Sequence, residues 1–423
     1  MFATMKQIFN PTNKDLRKRI LFTLAILFIF KLGTSIIVPG VNQYTLGTKS
    51  LGFLEMINAM GGGALEKFSI FALGVMPYIT ASIIIQLLQM DIIPYLTDLS
   101  KQGHTGRVKI NQITRVVGII MAFIQGYLMS FAFISNGTPL EYVQFATILT
   151  AGTSLLLWLS DQITSKGIGN GVSMVIMAGI IASLPKMFVD AWTNLINFTD
   201  VKSTIFGIGG FVIFVVIYFA IIIGIIYEEM AERRLQIQYA NQSQTSLTTQ
   251  NYIPFKLNSA GVVPVIFASS LVSAPALIAQ VIKNTNFSAF VTKWLSMNTV
   301  TGFILYVIFI IGFAYFYTYL QIKPTEMAEN LQKNGGYIPG VRPGDDTVSY
   351  VSKILNRLTI VGAIYLAVIA GLPILFGIIS GLPSSVSIGG TGLLIVVGVA
   401  LETYRQLEST LASRNYRHTR RRR

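Results

Sequence analysis

The stretch Gly61–Gln89, GGGALEKFSIFALGVMPYITASIIIQLLQ, joins a triple glycine to an apolar run of membrane length. That run carries a proline, several hydroxyls and a row of isoleucines. A segment that only anchored the chain in lipid would need none of these interruptions. Helix breakers and polar groups at membrane depth are tolerated where protein or a water-filled cavity satisfies the backbone. The stretch is therefore expected to line an interior, and not merely to span.

The rest of the chain fits a membrane setting. Of its 423 residues 52% are hydrophobic and 12% charged, and the mean hydropathy is +0.61. Soluble chains carry about 25% charged residues. A span needs about 20 mostly apolar residues. Ten are expected: Ile20–Val38, Phe68–Met90, Val116–Ile134, Val143–Leu159, Val172–Val189, Ile205–Tyr227, Gly261–Ile282, Gly302–Ile322, Leu358–Phe376 and Ile388–Leu401. With both termini inside, the inside segments hold 25 Lys and Arg and the outside loops 6, counting Lys186 near the outer end of the fifth span, with Lys31 left within the first span. This bias orients the chain with cytoplasmic termini, and it accounts for most of the net charge of +14 without a nucleic-acid partner. The first apolar run follows Lys14, Arg17, Lys18 and Arg19, but its length and the lack of a small-residue cleavage site predict a retained span.

The organisation read from this pattern is a cytoplasmic tail at 1–19, a five-span half at 20–190, an external hinge loop at 191–204, a second five-span half at 205–401 and a basic cytoplasmic tail at 402–423. Five is odd, so the second half has the inverted topology of the first, an arrangement that places sites at the interface of the halves. The external segment Gly40–Lys67 is too long for a tight connection. Leu51, Leu54, Met56, Ile57 and Met60 recur near helical spacing, which predicts a short amphipathic helix folded back on the bundle. Gly61, Gly62 and Gly63 end it with the backbone freedom of a hinge. Two large cytoplasmic loops, 228–260 and 323–357, are the expected docking surface. A helix–loop–strand arrangement is expected in the first, and a helix followed by a Gly/Pro-rich turn in the second.

Catalysis finds little support. There is no Cys, so no thiol nucleophile or Cys-ligated metal, and His104 and His418 lie in cytoplasmic segments without a ligand pattern. GIGNG at Gly167–Gly171 joins two apolar spans, not a strand and a helix, and reads as a tight turn. No enzyme activity, metal or cofactor is expected, so any driving ATPase is a partner. Lys31 is the one charge well inside a span. It either snorkels or pairs structurally, and the near absence of buried acids counts against ion coupling. Ile79 and Ile83, like Ile176 and Ile180, share a helix face by their i, i+4 spacing. Such pairs either face lipid or form an apolar constriction that blocks ions by dewetting. Arg420–Arg423 are explained by attraction to anionic lipid. Arg342, in the rigid turn GVRPG, displays a guanidinium suited to bidentate recognition.

Six segments carry a resemblance. They are GGGALEKFSIFALGVMPYITASIIIQLLQM, SKQGHTGRVKINQITR, DQITSKGIGNGVSM, LNSAGVVPVIFASS, GGYIPGVRPG and IGGTGLLIVVGVALE, in that order along the chain. With them the chain resembles the SecY family of protein-translocase channel subunits over essentially its whole length. The resemblance implies an all-α integral membrane protein, ten transmembrane helices in two inverted halves around a central hourglass pore. The external helix, about Leu51–Ala64 with Leu54, Ile57, Met60 and Gly61–Gly63, would be a plug. Ile79, Ile83, Ile176, Ile180, Ile266 and Ile395 would form the pore ring. Signal sequences would leave through a lateral gate between the second and third spans on one side and the seventh and eighth on the other. Arg342, Arg233 and Arg234 would contact the ATPase SecA or the ribosome. SecE, SecG, signal-bearing preproteins and anionic lipids would be the other partners, and the bacterial plasma membrane the location.

Two departures stand out. The loop tip Leu235–Phe255 has no Lys or Arg, which weakens direct contact with ribosomal RNA there. GRVK at Gly106–Lys109 replaces the more usual GRRK. An accessory paralogue serving a narrow substrate set and an inverted-repeat secondary transporter are the competing readings. The missing buried acids and the two large loops count against the transporter.

Overall fold

The computed structural model describes residues 14–39, 58, 60–90, 92–133, 138–196, 201–239, 251–282, 285–295, 299–380 and 384–421. It is mostly helical. In chain order the helices are α1 (Lys14–Gly33), α2 (Met76–Leu88), α3 (Pro94–Lys101), α4 (Gly103–Phe133), α5 (Pro139–Lys166), α6 (Gly171–Leu195), α7 (Val201–Met230), α8 (Val263–Ile282), α9 (Thr285–Trp294), α10 (Val300–Gln321), α11 (Pro324–Lys333), α12 (Asp345–Ser380) and α13 (Ser384–Arg421). Six segments are long and apolar enough to cross a bilayer: Gly103–Ser130, Pro139–Lys166, Gly171–Leu195, Thr204–Met230, Val300–Lys333 and Asp345–Phe376. They cover the third to sixth, eighth and ninth expected spans. The chain is a multi-pass membrane protein. Its outward faces carry large apolar side chains, such as Phe206 at 82% and Ile223 at 66% exposure.

The other expected spans depart from that standard for visible reasons. Helix α1 includes Lys14, Arg17, Lys18, Arg19 and Lys31. The run Phe68–Met90 is not helical throughout. Residues 68–75 form turns, and α2 starts only at Met76 with Pro77 in its first turn. Its 13 residues rise about 20 Å, short of a hydrocarbon core of about 30 Å. The turns are imposed upstream. Ile37 and Ser69 form an antiparallel bridge, with the Val38 amide donating to the Phe68 carbonyl and the Ile70 amide to the Ile36 carbonyl, each at 3.0 Å.

Helix starts follow local chemistry. Thr138 and Glu141 make a capping box in front of α5, with Pro139 in the first turn. Thr299 caps α10 through its side chain. The residues group into two compact units. One holds those up to Val189, with Leu277–Asn284 and Val399–Arg423, and the other Asp190–Ala276 with Thr285–Gly398. In the first, α2 and α5 both pack on α4. A Cβ added at Gly126 would meet Ala146 at 3.3 Å, and one at Gly118 would meet Tyr78 at 3.4 Å. Small residues thus let these helices approach closely, as membrane packing requires. Pro185, Pro275 and Pro373 lie inside α6, α8 and α12, each removing one helical hydrogen bond.

An all-α expectation needs one correction. Strands β1 (Glu232–Gln236) and β3 (Tyr252–Lys256) pair antiparallel, and β2 (Gln238–Tyr239) pairs with β4 (Gly336–Tyr337). The second pair joins the two large loops, which the sequence treats separately. Alternation explains the first: Leu235 and Phe255 turn inward while their neighbours stay exposed. With Ile338, Val351, Ile354 and Leu355 they make one apolar cluster.

Phe255 is 2% exposed in that cluster. Phe255→Ala should therefore cost about 3–5 kcal/mol locally. Hydrogen exchange at the β1 and β3 amides should accelerate at least ~100-fold. Unchanged exchange there would mean the cluster does not hold the hairpin.

Candidate functional site

Two places concentrate the expected functional residues. The first is the return segment after the external loop, on the first unit. Leu54 and Ile57 lie outside the described residues. Met60, Gly61 and Gly62 are buried and Gly63 half-buried. The segment reverses direction through Gly62 (φ +69°) and Gly63 (φ +83°), a left-handed pair that only glycine adopts freely. It lies directly on α6. A Cβ at Gly179 would sit 2.0 Å from the Met60 carbonyl oxygen, and one at Gly62 would meet the Gly179 Cα at 3.2 Å. Gly179 is one turn from Ile176 and next to Ile180, so the return segment rests beside the helix face that carries both. On the other side the Lys31 ammonium donates to the Gly62 carbonyl at 3.1 Å. Of the two readings of Lys31, the structural pairing is what the structure contains.

The six isoleucines divide between the units. Ile176 is 5% exposed and Ile180 2%, while Ile79 and Ile83 are half-buried on α2, off the stripe of Met76, Ala81 and Ile85 that packs inward. Ile266 at the start of α8 and Ile395 within α13 are also buried. A lipid-facing assignment suits none of these four buried side chains.

The second place is the cytoplasmic loop pair, on the second unit. Arg342 is exposed in the turn after β4, and the Thr347 hydroxyl donates to its carbonyl at 2.8 Å. Gly340 (φ +82°) and Gly344 (φ +102°) bracket this turn, and Pro343 stiffens it. The guanidinium is thus held out on a rigid support. Tyr337 anchors the turn to the other loop, its hydroxyl donating to Gln238 Oε1 at 2.9 Å beside the β2–β4 pairing.

The Arg233–Arg234 pair divides in role. Arg234 donates to Glu232 at 2.8 Å and stacks over the Tyr252 ring, 4.8 Å from its centroid. The Glu232 hydrogen bond, followed by Tyr252, keeps its guanidinium charged even more firmly than usual. Arg233 is exposed on the same strand, in register with Phe255. Strand alternation sends the two heads to opposite faces, so they do not act as one doubly charged patch.

Sequence reasoning passed over several residues that shape these places. Gly179 and the pair Glu66–Lys186, joined at 2.5 Å, belong to the return segment. Tyr239 and Tyr252 belong to the loop face. The close approach at Gly179 gives no signal in the sequence beyond a glycine in an apolar helix. Among the described residues no group of three or more His, Cys, Asp or Glu is placed to hold a metal.

The SecY family model matches residues 69–404. The protein translocase subunit SecY of Staphylococcus carnosus is 43% identical, with 99% of each chain covered. A solved structure described as a protein-conducting channel superposes with a TM-score of 0.66 at 19% identity, covering 93% of this chain and 92% of its own. A second is a SecY protein whose plug domain is described as stabilising the closed state of the translocation channel and maintaining a membrane seal. It gives 0.65 at 18% identity, with the same coverage. The chain belongs to the SecY family.

Proposed function

We propose that the chain is the protein-conducting subunit of a protein translocase in the bacterial plasma membrane, passing unfolded preproteins across the bilayer and releasing transmembrane segments sideways into lipid. It has no catalysis of its own. The observation that carries this reading is the seat of Met60–Gly62 on α6, against Gly179 and beside Ile176 and Ile180. A glycine-rich backbone segment resting beside apolar side chains suits a plug seated at a constriction. It does not suit a solute-binding site, which would need polar groups converging on a substrate.

In this reading ten spans in two inverted halves enclose the pore. Ile79, Ile83, Ile176, Ile180, Ile266 and Ile395 ring it. Branched apolar side chains dewet the constriction and block ions, and they offer a passing polar chain nothing to bind. Residues 51–64 plug the external side, and the lateral gate opens between the second and third spans and the seventh and eighth. SecE and SecG complete the complex. SecA supplies ATP-driven force through Arg342 and Arg233. Arg234, exposed on the opposite face of the hairpin and held by Glu232 and Tyr252, offers a second, more fixed cation for the same contact. Ribosome contact through the loop tip is weak, because Leu235–Phe255 lacks Lys and Arg. Both termini are cytoplasmic, and the Arg tail meets anionic lipid.

Two substitutions probe this. Ile83→Lys puts a charge at the half-buried edge of the ring, and resting ion conductance of the reconstituted complex should rise at least ~10-fold. Unchanged conductance would remove Ile83 from the constriction. Arg342→Glu reverses the exposed guanidinium without touching the apolar cluster. SecA-driven preprotein transport should fall at least ~10-fold while the amount of assembled complex stays constant. Normal transport would show that this turn is not the SecA contact.

A further inference from the structure

We propose that Glu66 and Lys186 form an ionic latch that holds the plug's return segment on α6 and must break each time the plug leaves. The inference rests on the plug reading above and adds to it the contact that sets the resting position.

The geometry is specific. Lys186 Nζ lies 2.5 Å from both Glu66 carboxylate oxygens. Asn58 fixes the carboxylate from its own side. The Asn58 Oδ1 accepts from the Glu66 amide at 2.9 Å, and its Nδ2 donates to Glu66 Oε2 at 3.5 Å. The Gly63 amide donates to the Asn58 carbonyl at 2.8 Å, closing the loop. Thus Asn58, Gly63 and Glu66 make one compact turn, and Lys186 ties it to the helix.

The latch sits between two places where the backbone can move. On one side are Gly62 and Gly63, which suit a hinge. On the other, Phe68 has φ +46°, a left-handed conformation that a side chain of its size resists. Its ring is buried and meets Phe145 edge-on at 6.3 Å. Strain of this kind persists only where surrounding contacts enforce it. Phe68 is also held by backbone bonds with Val38 and Leu65, so breaking the Glu66–Lys186 pair leaves the segment between Gly63 and Phe68 without its tie to α6. Lys186 follows Pro185, whose missing amide softens α6 at the same level.

The strength of the pair also suits a latch. Its side chains are 58% and 41% exposed. Water and salt weaken such pairs, so this one biases the resting position without fixing it. The second anchor, from Lys31 to the Gly62 carbonyl, does not involve Glu66. Loss of the latch should therefore loosen the segment and not unfold it.

The test is charge reversal in the full chain, assembled with its partner subunits in proteoliposomes, with resting ion leak and preprotein transport both measured. Glu66→Lys and Lys186→Glu should each raise the leak about two- to five-fold. The double variant Glu66→Lys/Lys186→Glu restores the pair with its sign reversed and should return the leak to near the wild-type value. That rescue excludes misfolding as the cause. The chain has no Cys, so Glu66→Cys/Lys186→Cys joined by a short bis-methanethiosulfonate crosslinker, which spans the reach of the two lost side chains, should block transport until the link is reduced. Single reversals without effect, or a double variant as leaky as the singles combined, would overturn the latch while wild-type transport left the channel reading standing. A wild-type complex that moved no preprotein would overturn both.

Discussion

Backbone polar groups cannot be left unpaired inside a bilayer, and the run from Gly61 to Val75 is where this chain meets that constraint outside a helix. Its solution is local. The Ser69 amide donates to Ala64, Phe68 to Leu65, Ala72 to Ser69 and Gly74 to Phe71, while Ile36 and Val38 pair with Ile70 and Phe68. A non-helical stretch so satisfied can sit among helices without being one of them. Everything proposed for the pore depends on it. The plug proposed above needs a tether that is neither lipid-exposed nor locked in a helix, and this run, with Gly179 making room for it on α6, has that character.

The cytoplasmic face is built on a different principle. The β2–β4 pairing and the shared cluster of Leu235, Phe255, Ile338, Val351, Ile354 and Leu355 make one body of two loops about a hundred residues apart. Arg342 therefore does not stand on an isolated flexible loop. The turn, Ile338 and the hairpin that continues α7 are parts of one packed body.

Much of this was legible beforehand. The long helices announced themselves by apolar runs, and the triple glycine marked a reversal. The isoleucine spacings put Ile176 and Ile180 on one face, and the structure finds both buried. The misreadings have physical causes. Hydropathy reports an apolar environment, not conformation, so residues 68–75 counted as helix although Ile37 draws Ser69 into a bridge. The β2–β4 contact involves two residues on each side, too few to leave a period in the sequence. Glu66 and Lys186 are 120 positions apart, and Arg234 lies over the Tyr252 ring because the hairpin brings that residue beside it. Such contacts come from tertiary structure, which local patterns do not encode.

The most direct test of the central claim is site-specific photocrosslinking from Ile79, in membranes holding the complex, SecA and an arrested signal-bearing preprotein. The account predicts adducts along the mature part of the preprotein, and none from an outward position such as Ile223. Absence of adducts at Ile79, with efficient adducts from the outward position, would contradict it, because the polypeptide would then be passing somewhere other than the ring.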